Sequence, residues 1–166
     1  MKKADIDKGR FYSDGKLGVR EVLDFGPQYR LYEGVQDSDC LRYRCLNSKA
    51  ETEVGQASNC TRTAFAAWAK VEVPADQVGG HLIRLQANKI AGKLSEPQLQ
   101  FLRTFDRDLV AGSYVECPRS DLRMAKGCFE KGLITEFQLV AGAKWFDVSF
   151  TPVGLSVLAQ VLGEPA

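Results

Sequence analysis

The stretch from Ser120 to Leu162 constrains this chain most, because its hydrophobic period switches from helical to extended and back. Ser120 stands where an N-cap belongs, and Leu122, Ala125, Cys128 and Phe129 recur at helical spacing until Gly132 stops the run. Leu133 to Leu139 and Trp145 to Phe150 are rich in β-branched and aromatic residues, with Ala141-Gly142-Ala143 between them as a hairpin signal. Thr151-Pro152 then restarts a helix, with Thr as N-cap and Pro in the first turn, and its apolar stripe is Val157, Leu158, Val161 and Leu162. The expected order is helix, hairpin, helix.

Upstream, Ser95-Glu96-Pro97 is a helix start, and Leu99, Leu102 and Phe105 follow at helical spacing. Between Asp106 and Cys117 the only helical fragment, Asp108 to Ala111, is too short before Gly112 to form a full helix. The pieces FEKGLI and FTPVGLSVL resemble the end of the second conserved helix and the post-wing helix of winged-helix domains. The resemblance covers roughly the last 70 residues, by the usual size of such domains. It implies a winged helix over 82–166. The larger winged-helix families carry another full helix where residues 106–117 stand, so the helix-turn-helix is trimmed here. Such domains grip nucleic acid in some proteins and other proteins elsewhere, so the resemblance implies a fold before a function.

The first half has a different texture. Brief candidate strands at 10–12, 19–23, 29–32 and 41–46 are separated by Ser13-Asp14-Gly15, Phe25-Gly26-Pro27 and the stretch from Gly34 to Asp39. Within 41–46, Leu41, Tyr43 and Cys45 alternate with Arg42, Arg44 and Leu46, as in a half-buried antiparallel strand. Residues 1–10 read as a frayed start and 47–58 as a loop. Asn59 or Thr61 then caps a helix that lines Phe65, Trp68 and Ala69 on one face, and Val71 to Val73 closes as a strand. Several short strands with tight turns predict a small antiparallel β-barrel or rolled sheet with one helix. Its proportions resemble an SH3-like or Tudor-like barrel. The linker signal runs from Pro74 to the pair Gly79-Gly80. The expectation is an α+β chain with a β-rich domain at 1–74, a linker at 75–81 and the winged helix at 82–166.

Charge narrows the function classes. The chain carries 22 Lys and Arg against 21 Asp and Glu. Dedicated nucleic-acid binders usually show a basic excess, so any cationic surface here must be local. No apolar run approaches a membrane span, no secretory signal opens the chain, and the odd count of 5 cysteines suits reduced thiols. These features predict a cytoplasmic protein. Cys40, Cys45, Cys60, Cys117 and Cys128 form no CxxC pair and His81 is the single histidine, so no metal site and no cofactor is expected. Asp37 and Asp39 form a DxD pair in a turn without supporting carboxylates, Ser38 lacks a nucleophile-elbow setting, and no glycine-rich phosphate fingerprint exists. An enzyme is not expected.

The candidate site lies on the helix after Ser120. Arg119, Arg123 and Lys126 share one helical face, Lys131 ends the helix, and Lys144 sits at the hairpin tip where a wing would touch a phosphate backbone. Asp121 and Glu130 dilute that face. A second candidate face comprises Arg20, Arg30, Arg42, Arg44 and Arg62, with Tyr29, Tyr32 and Tyr43 nearby, and could meet nucleic acid or an acidic protein surface. The sequence therefore predicts a non-enzymatic DNA-binding regulator whose partner is double-stranded DNA, with a homodimer compatible. The alternative is a protein-binding adaptor or inhibitor, acting on a nucleic-acid enzyme or another complex.

Overall fold

The computed structural model describes residues 1–32, 38–135, 137 and 139–163, and divides into two compact units, Met1–Leu82 and Ile83–Ala166. Both helices and antiparallel strands are present, as an α+β chain requires.

In the first unit β1 (Phe11–Ser13), β2 (Val19–Phe25), β3 (Cys40–Asn47) and β4 (Ala57–Thr61) precede the helix α1 (Arg62–Trp68) and the short strand β5 (Val71–Val73). They form one antiparallel sheet in the order β4-β3-β2-β1-β5. No pairing joins the outer strands β4 and β5 among the described residues, so a closed barrel is not found. The segment between them is α1, whose start follows from Thr61: its side chain accepts from the Ala64 amide at 3.1 Å. Phe65, Ala66 and Ala69 then enter a core with Ile6, Tyr12, Val22 and Leu41.

Three sequence expectations change here. The segment at 29–32 is not a strand, because Pro27–Tyr29 winds into a single 3-10 turn and the Tyr29 hydroxyl donates to Asp24 at 3.0 Å. The presumed loop at 47–58 contains a 3-10 turn, Glu51–Glu53, and the start of β4. Residues 1–10 are anchored rather than frayed. Ile6 is fully buried, the Gly9 amide donates to Val22 O at 2.8 Å, and the Tyr12 hydroxyl donates to Asp5 O at 2.9 Å while accepting from the Asp7 amide at 2.8 Å. The stretch from Gly34 to Asp37 lies outside the described residues, while Asp39 pairs with Lys3.

The buried phenol thus ties the N-terminal segment to the sheet. Tyr12→Phe keeps the ring edge-on to Phe65, at 5.6 Å, and removes only the hydroxyl. The expected cost is about 1–2 kcal/mol, because both backbone partners lose their bond. Urea melts should show a lower midpoint at unchanged slope, with faster amide exchange at Asp7.

The helix α2 (Val78–Ala91) contains the point at which the two units divide. Its first turn takes up Gly79 and Gly80, so the glycine pair is helical and the preceding Ala75–Gln77 forms a 3-10 turn. The second unit continues with α3 (Glu96–Leu102), β6 (Tyr114–Pro118), α4 (Leu122–Glu130), β7 (Trp145–Ser149) and α5 (Pro152–Val161). Ser95 and Gln98 close a capping box on α3, the Ser95 amide donating to Gln98 Oε1 at 3.1 Å. Phe105 stacks edge-on between Phe101 and Phe150, at 5.0 and 4.9 Å. Around them Leu102, Cys117, Ala125, Cys128, Leu133, Val148 and Val157 complete one apolar core.

Two details of this unit depart from the sequence reading. Helix α4 begins after a 3-10 turn, Arg119–Asp121, so Asp121 and not Ser120 occupies the N-cap position. The expected hairpin partner of 145–150 meets it where it is described: Ile134 bridges Phe150, the Thr135 amide donates to Ser149 O at 2.8 Å and the Thr151 amide donates to Leu133 O at 3.0 Å. Strand β7 also pairs with β6, a partner the sequence reading did not name, from Tyr114 opposite Ser149 to Pro118 opposite Trp145. Leu133 and Ile134 are both buried in the core. Glu136 and Gln138 lie outside the described residues.

Candidate nucleic-acid interface

The first turn of α3 and the outer face of α4 border a groove of about 870 Å³. Gly127 and Gln98 face each other in its lining, a Cβ on Gly127 standing 2.6 Å from the movable Nε2 end of the Gln98 side chain. Leu122, Ala125 and Cys128 turn inward toward the core, and Arg123 and Lys126 therefore turn outward. Both are exposed, and neither side chain makes a hydrogen bond or ion pair among the described residues. Arg119, Arg123 and Lys126 all border the groove, together with Ser95, Pro97, Leu122, Met124 and Glu130. Unpaired cations on one concave wall give a local positive field that net charge conceals.

Arg119 has a further occupation. Its guanidinium donates to Val140 O at 3.2 Å and Ala143 O at 3.1 Å, and its amide donates to Lys144 O at 2.9 Å. It braces the turn that carries Lys144. Lys144 is exposed beyond the groove, and Lys131 is half-buried at the end of α4 beside Cys128. The structure brings three of the nominated cations into one groove and leaves Lys131 and Lys144 outside it. Phe129, expected on the core face, is 43% exposed and stands edge-on to Phe137.

The second nominated set does not form one face. Tyr43 alternates with Arg42 and Arg44 along β3, so the sheet separates them. The Arg20 guanidinium lies over the rings of Tyr43, at 4.4 Å, and Trp68, at 4.1 Å, on the side away from Arg42. Arg62 donates to Ile6 O and lies 4.5 Å over Phe25, and is thus a structural cation. Arg44 pairs with Glu21 across the strands at 3.7 Å. Arg42 and Arg44 share one exposed face of β3, and Arg30 joins Arg42 at a shallow depression with Ser58 and Asn59. A sequence cannot distinguish an arginine spread over its own aromatics from one offered to a ligand.

All five cysteines are free thiols. Burial pushes Cys60, Cys117 and Cys128 up to about 11, the last two at almost no exposure. The fold's preference for the neutral thiol is present below the ordinary thiol pKa and is lost as pH rises through about 11. At pH 8 the thiolate fraction should be about 100-fold below that of an unperturbed cysteine. Alkylation of these thiols by iodoacetamide, followed by peptide mass spectrometry, should be slower than in the urea-unfolded chain by at least that factor. Among the described residues no group of three or more His, Cys, Asp or Glu could hold a metal, and no helix is long and apolar enough to cross a membrane.

A comparison with protein-family models, with curated proteins and with solved structures finds no match to this chain.

Proposed function

We propose that the chain is a non-enzymatic regulator whose second unit binds double-stranded DNA as a winged helix, with α4 as the contacting element. The observation that carries this reading is the unpaired pair Arg123 and Lys126 on one wall of the α3–α4 groove, with Arg119 at its end. Cations held on a helix and free of internal partners can exchange counterions for phosphates. Arg119 keeps the Val140–Lys144 turn in place, so Lys144 is available as an outlying phosphate contact. Order along the chain supports the family reading: α3, β6, α4, then the Ile134 bridge, β7 and α5. Anisotropy of a labelled 20-base-pair duplex, titrated with the chain at about 50 mM salt and again at about 200 mM, tests it. Tight low-salt binding that weakens steeply is the expected result, and no binding at low salt would remove the proposal.

One observation favours the alternative, a protein-binding adaptor or inhibitor. Pro97, Leu122 and Met124 also line the groove, so it suits an acidic segment with apolar side chains as well as a phosphate backbone. A chain that ignores duplex DNA yet co-purifies with a defined protein, lost on Met124→Asp, would select this reading.

A further inference from the structure

The β6–β7 pair presents a face that the DNA reading does not use. Its register sets Glu116 directly opposite Asp147, with Tyr114 opposite Ser149 on one side and Pro118 opposite Trp145 on the other. Residues at alternate positions share a face, so Tyr114, Glu116, Trp145 and Asp147 project together, while Val115, Cys117, Phe146 and Val148 turn to the core. Tyr114 is 77% exposed and Trp145 52%, and both carboxylates are exposed.

Two features of this face are unusual. Like charges directly opposite on neighbouring strands repel. The carboxylates of Glu116 and Asp147 neither accept a hydrogen bond nor meet a cation among the described residues, so no described side chain relieves that repulsion. Large aromatic rings stand one two-residue step along the strands from the carboxylates, about 7 Å away by strand geometry. Rings beside a double negative charge are the arrangement that recognises a cationic side chain, through charge pairing and the ring faces together. The same carboxylates repel phosphate, and they resist burial under an apolar partner unless a cation accompanies them.

We infer that this face docks a lysine- or arginine-bearing segment of a partner protein, one cationic side chain seating between Glu116 and Asp147 against Trp145 and Tyr114. The contact is independent of the α3–α4 groove. The test uses the whole chain and a dye-labelled octa-arginine peptide, with binding read by anisotropy at about 50 mM salt. Glu116→Gln with Asp147→Asn is expected to weaken binding at least tenfold, and Trp145→Ala severalfold. Glu51→Gln with Glu53→Gln, of equal charge change elsewhere, should leave it unaltered. The double substitution removes a repulsion, so its thermal midpoint should hold or rise, which separates lost docking from lost fold. Equal weakening by both double variants, or no binding by the parent chain, would overturn the proposal. Sedimentation of the chain alone gives a further decision: self-association abolished by Glu116→Gln with Asp147→Asn would make a second copy the occupant and overturn the partner assignment.

Discussion

Gly154→Ala should cost the second unit about 3 kcal/mol or more, the largest stability loss expected from a single methyl group in this chain. Helix α5 begins at Thr151, whose hydroxyl accepts from the Gly154 amide at 3.0 Å and donates to Gly132 O at 2.7 Å, while its own amide donates to Leu133 O at 3.0 Å. These bonds pull the first turn of α5 onto the chain leaving α4. A Cβ on Gly154 would lie 1.8 Å from Leu133 O and 2.7 Å from Leu133 C. Those are backbone atoms, with no rotamer to yield. Either α5 lifts, breaking the Thr151 bonds and withdrawing Val157 and Leu158 from the core, or the 132–133 segment moves with Leu133 and Ile134. Overpacking of a core costs 1–3 kcal/mol and sometimes more, and each lost hydrogen bond adds about 1. For a domain of this size the midpoint should fall by roughly 12–24 °C. Gly80→Ala is the control: an added Cβ there meets nothing within 4 Å, so a helix-propensity gain of about 0.5 kcal/mol is expected. Circular dichroism melts that place Gly154→Ala within a degree of the parent would show that α5 does not pack this closely.

The second large effect concerns the groove. Arg123→Glu with Lys126→Glu should reduce duplex affinity at least about 100-fold at low salt, because two counterion-releasing contacts become repulsive. Loss of the two contacts alone lowers the slope of log affinity against log salt by about 1.8. Both side chains are exposed and unpaired, so the fold should be unaffected and the melting midpoint should stay close to that of the parent. Unchanged DNA binding in a folded double variant would sink the assignment of α4 as the contacting element. Lys131→Glu should act more weakly, since that side chain is half-buried outside the groove.

Legibility in the sequence followed the range of the forces involved. Local signals held: Thr61 capping α1, Ser95 capping α3, Thr151-Pro152 opening α5. Each is settled by a backbone amide within a few residues, so the sequence contains all the information. The face of α4 was legible for the same reason, since Ala125 and Cys128 inside leave Arg123 and Lys126 outside. A signal with two local solutions was not decided by the sequence: Gly79-Gly80 can break a chain or join a helix, and here the pair is helical, a few residues before the two units divide.

What the sequence determined by itself is the element type wherever a cap or an apolar period acts within a few residues: the α+β character, the starts of α1, α3 and α5, and the outward turn of Arg123 and Lys126 on α4. What only the tertiary structure decided is everything set by partners far apart in the chain. That includes β6 as a partner of β7, Arg20 and Arg62 spent on aromatic rings, and Arg119 bracing the turn beneath Lys144. It also includes Glu116 set against Asp147 between exposed rings. The physical reason is one of distance. A cap is closed by its own neighbours, whereas a strand register or a guanidinium's choice of partner is settled by the packing free energy of the assembled core.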